Sequence, residues 1–209
     1  MGRSIDIGSR IELVPMDLHF HDITLALYRQ DRDKGPEFLI HTYTSLEGAR
    51  QRTESVARAM TILGGMESTP EGLLQFPCGV EHAMAIKRLF LEACKHDPNE
   101  PVEQRQLSIF DKKAGCTIAV SSLGDGAYQI AAEEAEKDAD RRVSAIAGGL
   151  IKLGQMEDQA TDRVAFSCGH AHDALLGLLL VRAPNVRAAI REQEQVSSRG
   201  VLSAPSQQE

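Results

Sequence analysis

The chain contains an internal repeat, in which residues 36–95 align without a gap on residues 126–185. Roughly a quarter of the aligned positions are identical, whereas unrelated chains of average composition agree at about one position in fifteen. The identical pairs include Arg52 and Arg142, Gly64 and Gly154, Phe76 and Phe166, Cys78 and Cys168, Gly79 and Gly169, and His82 and His172. A repeat of fixed period is typical of a duplicated structural unit, so the two halves are predicted to share one fold.

The spacing of apolar residues predicts the same order of elements, βββαβα, in both halves. Alternating apolar residues indicate strands, and apolar residues recurring every 3.6 positions indicate helices. In the first half this predicts strands at 11–16, 23–29, 37–44 and 73–76, and helices at 46–63 and 81–95. In the second half it predicts strands at 106–110, 116–122, 127–132 and 163–166, and helices at 134–153, 172–181 and 186–193.

The predicted fold is therefore an α+β protein of two tandem βββαβα repeats, packed as an intramolecular pseudo-twofold dimer. Residues 1–100 form the first repeat and residues 101–193 the second, with Pro98 and Pro101 marking the linker. Residues 194–209 are rich in Ser and Gln and are expected to form a disordered tail. The helix at 172–181 is apolar on almost every side, so it should pack centrally, between the two halves or against another subunit.

Composition and charge exclude several classes of protein. The net charge is −7 and basic residues form no cluster, so we expect neither nucleic acid nor a membrane as a partner. The four cysteines are too few for a disulfide framework in a chain of this length, and no export signal precedes them. These features favour a cytoplasmic protein whose partner is itself, in a homo-oligomer, or another protein.

One shared motif carries residues capable of chemistry, Cys-Gly-x-x-His, at 78–82 and again at 168–172. In both halves it falls where a short strand gives way to a helix. The start of a helix offers free N–H groups and a partial positive charge, which favour a thiolate. A Cys and a His four positions apart lie on one helical face, so both can reach the same ion.

Four interpretations of this motif remain open. The side chains could serve packing alone, or Cys78, His82, Cys168 and His172 could bind zinc, with His170 as a spare ligand. Cys168 could instead be a nucleophile with His170 or His172 as its base, although the sequence lacks the C-x-x-C and C-x₅-R motifs of known thiol chemistry. Finally, the amides of Gly79 and Gly169 could bind a small anion.

Among these, packing is the interpretation that we favour from the sequence. It makes the protein a non-catalytic binding or interaction protein of the cytoplasm, with no catalytic residue assigned and no cofactor. The rival hypothesis is a metal-binding or thiol-dependent protein that uses both Cys-Gly-x-x-His turns, with zinc as its ion. The distance between the sulfurs of Cys78 and Cys168 separates the two hypotheses, since one ion cannot bridge sulfurs more than about 10 Å apart.

Overall fold

The computed structural model describes residues 7–18, 21–44, 47–113, 115–133 and 138–203. It confirms an α+β fold built from two similar units, each with a five-stranded antiparallel sheet and packed helices. No helix within the described ranges is long and apolar enough to cross a membrane.

The first unit begins with three long antiparallel strands and continues with alternating helices and short strands. Its elements are β1 (Ser9–Leu18), β2 (His21–Arg32), β3 (Gly35–Thr42), α1 (Glu47–Gly64), β4 (Glu67–Ser68), β5 (Leu74–Gln75) and α2 (Ala83–Lys95). The strand order in the sheet is β1-β2-β3-β5-β4. Pro15 therefore lies in an edge strand, to which proline is largely confined within sheets.

The second unit repeats this order and adds a C-terminal helix. Its elements are β6 (Ser108–Asp111), β7 (Cys116–Gly124), β8 (Ala127–Glu133), α3 (Ala139–Gly154), β9 (Glu157–Ala160), β10 (Arg163–Ala165), α4 (Asp173–Arg182), a 3-10 turn (Ala183–Asn185) and α5 (Val186–Ser203). The strand order β6-β7-β8-β10-β9 matches that of the first sheet.

Two features of the chain differ from the sequence prediction. β4 and β9 were not predicted, because two to four polar residues that form a hairpin leave no alternating apolar pattern. Residues 194–203, predicted to be disordered, continue helix α5 instead. The reason is tertiary, since Val196 packs against the core and Gln193 is buried. Residues 204–209 lie outside the described residues.

Helices α2 and α4 occupy equivalent places in the two units and meet at the pseudo-twofold axis. Residues that are 90 positions apart therefore contact each other: His82 lies against His172, and Arg182 donates to Glu92 at 2.7 Å. Local packing repeats as well, because a Cβ on Gly64 would collide with Leu89 and a Cβ on Gly154 would collide with Leu179. The second of these pairs lies 90 positions beyond the first, which is the relation that a duplicated unit predicts.

Helix α4 lies at the centre of the molecule, as its composition predicted. It contacts α1, α2 and α3 and, on its other side, β6. Leu175, Leu176, Leu179 and Leu180 are completely buried there. Gly177 lets the linker pass close by, because a Cβ at this position would lie 2.5 Å from the carbonyl O of Arg105.

Helix α5 returns from the second unit to pack on β1 and α2 of the first. Arg88 of α2 is fully buried beneath it and donates to Glu192 at 2.9 Å and to the carbonyl O of Ala189. Lys95 donates to the same Glu192 at 2.6 Å. The position aligned with Arg88 in the second unit is Leu178, which has no charge, so the Arg88 ion pair is not repeated by the duplication.

Two adjacent glycines in α3 give a test of the packing between α3 and the 3-10 turn. A Cβ on Gly149 would lie 2.5 Å from the carbonyl O of Ala183, whereas a Cβ on Gly148 would meet nothing within 4 Å. Gly149→Ala is therefore expected to lower the free energy of unfolding by about 1–3 kcal/mol. Gly148→Ala should raise the free energy of unfolding by about 0.5–1 kcal/mol, because alanine leaves the unfolded chain less backbone freedom than glycine does. Urea denaturation compares the two variants, and equal stabilities would contradict the close approach.

Candidate metal centre

Each Cys-Gly-x-x-His segment forms a tight turn between a short strand and a helix. In the first unit the turn closes with a hydrogen bond from the Gly79 N–H to the carbonyl O of Phe76 at 2.9 Å. In the second, the Gly169 N–H donates to the carbonyl O of Phe166 at 3.0 Å. Gly79 and Gly169 have φ values of 70° and 71°, which only glycine adopts without strain. This requirement explains why both repeats keep the glycine.

Backbone N–H groups within each turn point at the cysteine sulfur. The N–H of Val80 lies 3.4 Å from Cys78 Sγ, and the N–H of His170 lies 3.4 Å from Cys168 Sγ. Hydrogen bonds from backbone N–H groups stabilise negative charge on the acceptor. Both turns are therefore shaped to support a thiolate.

The two turns bring four donor atoms together across the pseudo-twofold axis. Cys78 Sγ lies 3.2 Å from His82 Nε2, and Cys168 Sγ lies 3.3 Å from His172 Nε2. The two Nε2 atoms are 3.1 Å apart, and all four donor atoms lie within 4.8 Å of one another. Each unit supplies one thiol and one imidazole. This Cys₂His₂ group, as we call these four side chains, can hold one metal ion.

The imidazoles of this group are held between two aromatic rings. His82 and His172 are buried, and the rings of Phe76 and Phe166 pack edge to face against both of them at centroid distances of 5.0–5.8 Å. Ring packing fixes the imidazole planes, so that both Nε2 atoms face the centre of the group. His82 also has a φ of 49°, unusual for a residue other than glycine, and such strain is concentrated at functional sites.

The second unit contains a further polar contact behind the group. The N–H of His172 donates to the hydroxyl of Tyr128 at 2.7 Å, and that hydroxyl donates to Asp173 Oδ1 at 2.8 Å. Tyr128 was not among the predicted site residues. The alignment of Tyr128 with Phe38 in the repeat could have identified it, because the two rings occupy equivalent places. Tyr128 packs on Phe166, and Phe38 packs on Phe76. The added hydroxyl fixes the start of α4 and hence the backbone of His172.

Burial shifts the pKa values of His82, His172 and Cys78. Burial, reinforced by the neighbouring His172, lowers the pKa of His82 to about 4. Burial and the nearby His170 also lower the pKa of His172, so both imidazoles are neutral at pH 7. Burial, with the adjacent Cys168, raises the pKa of Cys78 to about 11 in the metal-free protein. A bound cation would reverse this last tendency, because a coordinating thiol loses its proton.

Two sets of predicted site residues lie outside the Cys₂His₂ group. His170 is exposed, and its Nδ1 lies 2.8 Å from the carbonyl O of Cys168 instead of facing the other ligands. The amides of Gly79 and Gly169 already have carbonyl acceptors within their turns. An anion at these amides stays a prediction.

No protein-family model, no curated protein and no solved structure matches this chain. The chemistry of the group therefore has to be argued from its own geometry.

Proposed function

We propose that this is a zinc-binding protein in which one ion, held by Cys78, His82, Cys168 and His172, joins the two repeats. The observation that carries the proposal is the spacing of the donor atoms. Tetrahedral zinc with Zn–N bonds near 2.05 Å and Zn–S bonds near 2.3 Å places two nitrogens about 3.3 Å apart, and a sulfur and a nitrogen about 3.6 Å apart. The corresponding distances here are 3.1 Å between the nitrogens and 3.2 and 3.3 Å within each turn.

The composition of the group supports zinc over other metals. Two thiolates and two imidazoles form one of the usual ligand sets of structural zinc, whereas Mg²⁺ and Ca²⁺ prefer oxygen ligands. A two-iron cluster with mixed ligands binds its cysteines to one iron and its histidines to the other. In this protein each imidazole lies beside a sulfur, at 3.2–3.3 Å, which suits one ion shared by all four side chains.

The proposed ion would have a structural role. Four protein ligands complete a tetrahedral shell, whereas catalytic zinc keeps one position open for water or substrate. Because each repeat supplies two ligands, the ion would crosslink segments that are 90 residues apart in the chain. The interaction partner expected from the sequence stays a prediction.

Elemental analysis of protein purified without a chelator tests this proposal. We expect about one zinc per chain, which requires all four ligands. Cys168→Ser and His172→Ala should each abolish stoichiometric zinc. Cys116→Ala is the matched control, because Cys116 is a buried cysteine of the second unit outside the group, and this variant should keep its zinc. Wild-type protein that still contains no zinc after incubation with zinc and desalting would contradict the proposal.

A further inference from the structure

We propose that peroxide releases the ion by oxidising Cys78 and Cys168 to a disulfide, which makes the centre a redox-controlled zinc site. This inference rests on the proposed zinc binding and adds its regulation. It is carried by the different exposure of the ligands, by the distance between the two sulfurs and by the placement of the remaining cysteines.

The two cysteines of the group lie nearer the surface than the two histidines. Cys78 and Cys168 are half-buried, whereas His82 and His172 are 7% and 6% exposed. Val80 and His170, which follow the two cysteines, are exposed. The two cysteines are therefore the ligands that a small oxidant would meet first. Oxidation follows thiolate character and access, and zinc ligation supplies the thiolates.

The remaining two cysteines are placed where oxidant does not reach them. Cys94 and Cys116 are only 4% and 5% exposed. Burial also raises the pKa of Cys94 to about 12, which keeps it a thiol. The protein therefore has two half-buried cysteines at the proposed zinc site and two buried cysteines that serve as internal controls.

The two zinc-binding sulfurs are close enough to bond to each other. They lie within 4.8 Å, and a disulfide needs about 2.05 Å, so they have to approach by about 2.8 Å at most. Each cysteine lies in a turn beside a glycine, where small changes of the backbone dihedral angles can supply this movement. The bond would connect the same two turns that the ion connects.

The chemistry balances with hydrogen peroxide as the oxidant. One thiolate attacks a peroxide oxygen, the O–O bond breaks, and the leaving hydroxide takes a proton to become water, leaving a sulfenic acid. The second thiolate attacks the sulfenic sulfur, the S–S bond forms, and a second protonated hydroxide leaves as water. The two thiolates together lose two electrons, the peroxide gains them, and two protons are consumed. Zinc then has only two imidazole ligands and dissociates.

The test starts from wild-type protein whose content of one zinc per chain has been measured before any oxidant is added. Hydrogen peroxide is then added in the presence of a chromophoric chelator that reports free zinc. We expect the loss of one equivalent of zinc per chain, together with one Cys78–Cys168 disulfide in the peptide mass spectrum. Cys94 and Cys116 should remain free to alkylate after unfolding, and a thiol reductant should restore zinc binding.

Two further outcomes distinguish this inference from the proposed function. If the starting protein cannot be loaded with zinc, the proposed function fails and this inference fails with it. If zinc is bound but peroxide leaves it in place, or releases it with sulfinic acid and no Cys78–Cys168 disulfide, only the redox inference is overturned. A Cys94→Ala variant controls for core oxidation and should release zinc as the wild type does.

Discussion

Removal of the proposed zinc ion with a chelator is expected to lower the melting temperature of the protein by about 8–16 °C. A ligand present at a thousand times its dissociation constant stabilises the folded state by about 4 kcal/mol. In a domain of 150–250 residues, each kcal/mol shifts the melting temperature by about 2–4 °C. The effect should be large here because the Cys₂His₂ group connects the start of α2 to the start of α4, and both helices take part in the contact between the repeats.

The controls for this experiment follow from the ligand set. Calorimetry should show recovery of the original melting temperature when zinc is added back, and no recovery with magnesium, which prefers oxygen ligands. The His172→Ala variant should melt at a lower temperature than the wild type and should not respond to the chelator. A wild-type protein loaded with zinc whose melting temperature is the same with and without the chelator would refute a structural role for the ion.

Truncation of either aromatic residue beside the imidazoles should have the second large effect. Phe76 and Phe166 are 1% and 2% exposed, and each packs on both histidines. Phe76→Ala and Phe166→Ala are each expected to lower the free energy of unfolding by about 3–5 kcal/mol, through lost burial and the cavity left behind. Both variants should also bind zinc more weakly, because one of the two rings that fix the imidazole planes would be missing.

Phe110→Ala is the matched control for these two variants. Phe110 is 64% exposed, so its truncation should change the free energy of unfolding by no more than about 0.5 kcal/mol. Urea denaturation of the three variants, followed by zinc competition with a chelator of known affinity, measures both effects. A Phe76→Ala or Phe166→Ala variant as stable as Phe110→Ala would contradict the aromatic enclosure of the site.

Much of the fold could be predicted because the repeat and the local patterns agree. The strand predicted at 127–132 and the helix predicted at 46–63 each lie within two residues of the observed β8 and α1. The turn between β7 and β8 is formed by Asp125 and Gly126. Local patterns failed where tertiary packing decides. β4 and β9 exist by pairing with a neighbouring strand, and α5 extends to Ser203 while it packs on the first unit.

The candidate site could be predicted in its residues but not in its arrangement. The repeat identified Cys78, His82, Cys168 and His172, yet packing alone was the interpretation favoured from the sequence. His170 was placed among the ligands because it is close in the chain, whereas its ring is held by the carbonyl O of Cys168. The contribution of Tyr128 depends on a hydrogen bond across 44 positions, which no local pattern reveals.

The amino-acid sequence by itself determined the duplicated unit, the order of its longer strands and helices, and the residues that both copies retain. Those properties depend on local periodicity and on turns that only glycine can make, so they can be read without knowing which parts of the chain meet. Only the tertiary structure decided that the two Cys-Gly-x-x-His turns face each other. Their meeting requires α2 and α4 to pack about a common axis, and that packing depends on apolar surfaces contributed by both halves.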